Sequence, residues 1–299
     1  MNILLAEYTI SHNPDLAPEG RAMLKVLTDS FNRIGYQVCS PNPGSDFGEE
    51  IKRLSKICGD GLVIAPDDKL AIFTKMLEDN TRNMGCNSLS IAMCANKRRT
   101  ADILKAHGID VPMEISGGTR VIKRISGSGA LNMRITDEEP SDDEFGQEFI
   151  EGEHLSVSLI GSRVVGETCL YYTGNEPLLL AVNKQNIIFG PDGTVSYIGG
   201  ETPADHPKKD ILYKIAVKAL KILGCQGYIG VDMIVSDDRI VVVDVNPRPT
   251  TSITGIAACM KEEIGKLILD ASYGKAPDMV HLTGHAKYFT NGKVQYDRD

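Results

Sequence analysis

The period of the hydrophobic pattern changes once along this 299-residue chain, near residue 95, and that change limits the folds open to it. Before it, short apolar runs alternate with helical repeats. NILLAEY reads as a buried strand, followed by a helix over about 18–34 with Met23, Val26, Leu27, Ser30 and Ile34 on one face and Gly35 as its stop. YQVCSP, GLVIAP and SLSIAM read as three more strands, separated by helices over 49–58 and 69–83. Such alternation predicts a small parallel α/β domain, whose ligands sit beyond the carboxyl ends of the strands. Glu7–Tyr8, Pro41, Ala65–Pro66 and Met93 then mark a candidate binding edge.

After residue 95 the texture differs. A short helix over 98–107 is closed by Gly108, and VIKRISGSGALN reads as a strand running into a Gly/Ser loop. The acidic run over 137–144 reads as a solvated loop. QEFIEGEHLSVSLIGSRVVGETCLYYTG reads as successive antiparallel strands, turning near Gly161–Ser162. A helix over 207–223 shows Ile211, Ile215, Ala219 and Ile222 on one face, residues 228–248 form a hairpin, and a single helix covers 251–271. The expected fold class is α/β plus α+β, without an internal repeat.

Composition excludes several functions. Thirty-two Lys+Arg against forty Asp+Glu give a net charge of −8, a poor basis for binding nucleic acid or an anionic membrane. A locally basic pocket for one small phosphorylated ligand stays open. Seven cysteines without a CxxC pair indicate reduced thiols and a cytoplasmic setting. The apolar start stops at Glu7 with no basic segment before it, and no apolar run approaches the roughly 20 residues that span a bilayer. His281 and His285 have metal-ligand spacing, but Thr283 and Gly284 between them favour surface-loop histidines.

The hairpin is the most informative stretch. With a three-residue connection at 237–239, Ser236 pairs with Ile240 and Asp232 falls opposite Asp244. Asp232, Ile234, Val242, Asp244 and Asn246 then share one face, and Val231, Met233, Val235, Val241, Val243 and Val245 the other. Facing carboxylates repel, and a divalent cation relieves the repulsion. Asn246 adds a neutral oxygen, and hard oxygen donors suit Mg²⁺ or Mn²⁺. A two-residue turn would instead place the two carboxylates diagonally. Lys123 stands at the base of Ser126-Gly127-Ser128-Gly129, a loop of small residues whose backbone N–H groups can approach phosphate. No Lys-Thr/Ser follows, and Asn132 stands where a dinucleotide fingerprint needs glycine, so the loop alone is equally a surface turn.

In this order along the chain, the pieces resemble the ATP-grasp superfamily. Asn96-Lys97 resembles the segment that supplies the first ATP lysine, Lys123 the second, and Ser126–Gly129 the mobile phosphate-covering loop. Gln147, Glu148, Phe149 and Ile150 are similar to the adenine-holding linker, Asp232, Asp244 and Asn246 to the metal ligands, and Arg248 to the arginine that stabilises charge on the reacting carboxyl group. The resemblance implies a Rossmann-like parallel domain over 1–93, a small ATP-clasping unit over 94–149 and a metal-bearing unit over 150–299. Two departures stand out. The usual ribose glutamate is replaced, leaving His154 or Glu153 for that contact, and Gly230 stands where several ligases have an arginine.

The flanks AEYTI, PEGRAML, AVNKQNI and GGETPADHP resemble those of archaeal tyramine–L-glutamate ligases of methanofuran biosynthesis. That resemblance implies ATP and Mg²⁺ or Mn²⁺ as cofactors, with small-molecule carboxylate and amine substrates joined through an acyl phosphate. Glu7 as an ammonium contact, Arg21 as a carboxylate contact, Lys184 as a phosphate or substrate contact and Glu201 as an amine contact are further expectations. A homodimer is compatible with the sequence. A sister ligase with another amino acid or amine, a small-molecule kinase on the same scaffold and a non-catalytic nucleotide-binding module are the alternatives. Product analysis separates the first two from the main reading, and the third would need neither Asp244 nor Arg248.

Overall fold

The computed structural model describes residues 1–127, 133–162 and 176–298. The first unit is the expected parallel sheet, with strands ordered Gln37–Cys39, Asn2–Glu7, Asp60–Ile64 and Arg82–Asn83. Alternation along the first strand decides which helix covers which face. Ile3 and Leu5 pack on Met23, Leu27 and Phe31 of the Ala17–Arg33 helix, while Leu4 and Ala6 pack against the Phe47–Ser55 and Asp67–Glu78 helices.

SLSIAM is not a fourth strand but the Ser88–Cys94 helix. The Asn87 side chain accepts from the Ser90 N–H and so caps the helix, an entry signal that a short apolar run obscures. Met93 therefore does not belong to a strand edge.

The remaining strands form two antiparallel sheets. Arg134–Thr136, Arg120–Arg124 and Glu144–Gln147 make a three-stranded sheet. A seven-stranded sheet runs in the order Ile240–Asn246, Gly227–Val235, Glu153–Gly161, Leu178–Phe189, Val195–Thr202, His285–Phe289, Val294–Asp297. The Lys209–Leu223 helix covers one face, burying Leu212, Ala216, Ala219, Leu220 and Leu223 against Leu155, Val157 and Val182. Ile211, placed on the inner face from the pattern, is exposed instead.

The long helix expected over 251–271 is two helices, Ser252–Cys259 and Ile264–Ser272. The break is tertiary in origin. Met260 is extended and bridges Leu282, and the Lys261 N–H donates to the His281 carbonyl. The acidic residues of the run over 137–144 are exposed as expected apart from Glu144, and the run is anchored at two points: fully buried Arg120 donates to the Glu138 carbonyl at 2.9 Å, and Arg134 grips Glu144 through two bonds of 2.6 and 3.0 Å. Six of the seven cysteines are among the described residues and form no disulfide; Cys169 is outside them. No described helix is long and apolar enough to cross a membrane.

Candidate functional site

Asp232 does face Asp244, by a different route from the one the pattern suggested. Near the turn the register is Val235 with Ile240 and Met233 with Val242, which by itself would leave the aspartates diagonal. A bulge at Val243 takes up one residue and restores the pairing of Asp232 with Asp244 and of Gly230 with Asn246. Between the turn and the bulge the inward and outward side chains are exchanged, while Val245 beyond it keeps its expected place in the core. Val242 joins Met233 and Val235 in the main core, while Val241 turns to the aspartate side with Ile234 and Ile150.

That side is an apolar floor with a charged end. Ile150, Ile234 and Val241 form the floor, with Val243 packed beside them. Phe149 and Phe189 meet edge-on at 5.9 Å between ring centroids, and His154 lies 6.1 Å from Phe189. Burial lowers the pKa of His154, so its ring is neutral at pH 7. The linker can lie this close because residue 152 is glycine; a Cβ there would stand 2.6 Å from the Val235 carbonyl oxygen.

At the charged end Asp232 accepts hydrogen bonds from Gln185 at 2.9 Å and from the Asn246 amide at 3.0 Å. Lys97 pairs directly with Asp244 and lies 3.5 Å from Asp67. Lys123 donates to the Val243 carbonyl at 3.1 Å. Burial pushes the Asp232 carboxyl up to about 7, and the neighbouring Asp244 charge adds to the rise. Burial raises Asp244 too, but Lys97 and Lys123 outweigh it and hold the group below the ordinary range. Burial brings Lys123 down to about 8.

Among the described residues, no group of three or more His, Cys, Asp and Glu has metal-binding geometry. The donor set here is two carboxylates plus the Asn246 carbonyl oxygen, which its amide bond to Asp232 leaves available. These hard oxygens fit Mg²⁺ or Mn²⁺ and match neither zinc nor a soft metal.

Asp67, Gln185 and Glu19 are site residues that the sequence alone did not single out. Asp67 follows Pro66 at the carboxyl edge of the parallel sheet and stands between Lys97 and Arg248, with Arg248 Nε 3.6 Å from its Oδ1. Neither of those two facing atoms has a hydrogen-bond partner, although both are buried. Arg248, Glu7 and Glu19 line a cleft together with Thr9, Leu16, Gly20, Met23 and Ile64.

The other expected residues scatter. Ser126 and Gly127 follow the Arg120–Arg124 strand, where the Ile125 carbonyl accepts from the Lys97 N–H at 2.8 Å; Ser128 and Gly129 lie outside the described residues. Gln147 is buried and donates to the Pro112 carbonyl, and Glu148 is held by the Met113 N–H and by Arg239. Glu153 lies 3.5 Å from His206. Arg21 is exposed and is not among the residues lining the cleft. Lys184 and Glu201 pair across strands in register with Leu155 and Met233, on the sheet face opposite Asp232. There Glu201 meets His285 and Lys287.

A family model for the ATP-grasp domain matches residues 94–252, the stretch that contains both lysines, both aspartates and Arg248. The chain belongs to the ATP-grasp family. Among curated relatives, it is 34% identical over 199 residues to the tyramine–L-glutamate ligase of Methanocaldococcus jannaschii, an alignment covering 65% of this chain and 57% of that enzyme. The corresponding enzyme of Methanocaldococcus fervens is 35% identical, with 65% and 60% covered. The chain thus spans less than two thirds of the length of these relatives.

Solved structures agree on the fold. An ATP-grasp superfamily protein from Archaeoglobus fulgidus superposes with a TM-score of 0.78 at 24% identity, covering 100% of this chain and 99% of that one. An L-amino acid ligase from Bacillus licheniformis gives 0.70 at 15%, covering 96% and 78%. The biotin carboxylase domain of Hydrogenobacter thermophilus 2-oxoglutarate carboxylase, solved with MgADP and bicarbonate, gives 0.72 at 13%, covering 96% and 73%.

Proposed function

We propose that this chain is an ATP-dependent carboxylate–amine ligase that joins the γ-carboxylate of L-glutamate to tyramine and releases ADP and phosphate. The observation that supports this most is the site's polarity: an apolar floor for a base at one end, and Lys97, Lys123, Asp232, Asp244 and Arg248 gathered at the other. The two Methanocaldococcus relatives supply the substrate pair.

In this reading adenine lies against Phe149 and Ile150, the linker groups of Gln147 and Glu148 hold its edge, and His154 or Glu153 meets the ribose. Lys97 and Lys123 attract the phosphates, beneath the loop that starts at Ser126. Asp232, Asp244 and Asn246 would hold Mg²⁺ or Mn²⁺, which supplies charge neutralisation for phosphoryl transfer. The γ-phosphoryl passes to the glutamate carboxylate, the amine attacks the acyl phosphate, and Arg248 stabilises the oxyanion that forms. The same reading divides the chain into units over 1–93, 94–149 and 150–299.

The test is a panel of amino acids and amines scored for ADP release and product mass. ADP release that requires both L-glutamate and tyramine, with the amide mass found, is the expected result. Indifference to tyramine removes the substrate assignment, and ADP release without an amine-dependent product removes the ligase. Light scattering tests the homodimer that the sequence leaves open.

A further inference from the structure

The cleft beside Arg248 contains a carboxylate that the reaction as described does not use. Glu19 lies in the first turn of the Ala17–Arg33 helix and lines the cleft together with the apolar residues Leu16, Met23, Ile64 and Pro66. The Thr251 hydroxyl donates to its Oε1, which fixes the side chain from the segment just beyond Arg248. The helix comes this close to the first strand because residue 20 is glycine. A Cβ there would stand 2.6 Å from the Glu7 carboxyl group.

Glu7 is already engaged, accepting from the Thr9 hydroxyl at 2.6 Å and from the Ile10 N–H at 2.8 Å. The cleft is a small recess with about 50 Å³ of room, shared by one arginine and two carboxylates.

An amine at neutral pH arrives as an ammonium ion and is not a nucleophile until it loses a proton. We propose that this cleft receives the amine substrate and that Glu19 accepts the proton its ammonium group must lose before attack. The inference rests on the ligase reading. Proton transfer converts R–NH₃⁺ and the Glu19 carboxylate to R–NH₂ and the carboxylic acid. The free amine then forms the C–N bond at the acyl carbon. The C–O bond to phosphate breaks, the electron pair leaves with phosphate, and the second N–H proton goes to the departing phosphate.

The groups that face Glu19 are consistent with this task. Burial pushes its carboxyl up to about 7, Arg248 opposes the rise, and Glu7 adds to it. Tyr197 and Tyr288 lie near enough to feel its charge, and burial keeps both phenols neutral at any working pH. A base with a pKa close to the working pH is half ionised there and still able to accept a proton.

Hydroxylamine provides the decisive comparison, because it is largely unprotonated at pH 7 and traps an acyl phosphate without needing a base. Glu19→Gln, assayed with ATP and L-glutamate, should lose about 10²-fold in tyramine amide formation, the scale of general-base catalysis, while hydroxamate formation falls far less. The acid limb of the pH profile for tyramine should disappear in Glu19→Gln, and in Thr251→Val, which removes the hydrogen bond to the carboxylate, it should move to higher pH.

Equal loss of hydroxamate and amide would assign Glu19 a structural role and overturn the proposal. An unchanged amide rate or an unchanged acid limb would overturn it as well. If the wild-type protein makes neither product with L-glutamate, the ligase reading itself fails, and that outcome is distinct from the others.

Discussion

Asp232 and Asp244 sit on facing strands among Lys97, Lys123, Gln185 and Asn246, whereas Glu7 and Glu19 share a cleft in which Arg248 is the cation. Both pairs are at least half-buried, so the difference lies in the counter-charges. In the first pair Lys97 binds Asp244 directly and holds it ionised, while Asp232, which has only neutral hydrogen-bond donors, rises to about 7. In the second, Arg248 acts on both carboxylates without forming a hydrogen bond to either, and both rise. A directly paired carboxylate suits a fixed anionic role, and one that shares a distant cation suits proton exchange. Arg248 borders the second pair and reaches the first through Asp67, which links it to Lys97.

The largest expected effect tests the first pair. Asp244→Asn removes the direct partner of Lys97 and one oxygen donor. ADP release should fall by more than about 10³-fold, the scale of losing a charge that stabilises phosphoryl transfer. Unchanged ADP release in this variant would sink the metal assignment, and with it the contrast between the pairs. Arg248→Ala comes next. Amide formation should drop by about 10²–10³-fold, as when one oxyanion donor is removed, while the ATP dissociation constant from calorimetry changes only a few-fold. Equal losses in ATP binding and in product would place Arg248 with the phosphates and not with the acyl group.

Asp67 is where the two pairs connect. Asp67→Asn keeps the shape but removes the charge between Lys97 and Arg248, so both cations lose orientation. A displacement of about 1 Å at such a site costs about 10²-fold in rate. The distinguishing readout is that KM for ATP and KM for the amine should both rise. A change confined to one of them would show that the two pairs are independent.

How much of this was legible in the sequence depended on how local the cause was. The parallel sheet could be read from strand–helix alternation, and the aspartate pair from period-two alternation in 228–248, although a bulge and not the turn sets the register. SLSIAM was ambiguous because a run of six residues fits a buried strand or a short helix equally, and the Asn87 cap was the overlooked cue. The C-terminal hairpin, His285–Phe289 with Val294–Asp297, was missed although Asn291-Gly292 is a strong turn signal. The break at Met260 had no local sign, since its cause is pairing with Leu282. Asp67 and Glu19 were hidden for the same reason. Their partners lie 30 or more residues away, and only the packing of the first unit onto the hairpin side brings them together.

The smallest effect tests the rule on a carboxylate outside both pairs that has a dedicated cation. Glu144 accepts two bonds from Arg134 and others from Ser141, and the Arg134 guanidinium holds its carboxyl down at about 2. The folded-state pKa lies below the unfolded value of about 4.3, so the contribution to stability is full above that value and is lost as pH falls through about 2. Arg134→Met should therefore cost about 1 kcal/mol at pH 7, the upper range for a partly exposed pair, and should raise the midpoint of acid unfolding. The same substitution should leave the tyramine acid limb unmoved, because Glu144 and Glu19 share no cation. If the limb moved with Arg134→Met, counter-charge would not be a local property here, and the distinction between direct and shared cations would fail at both pairs.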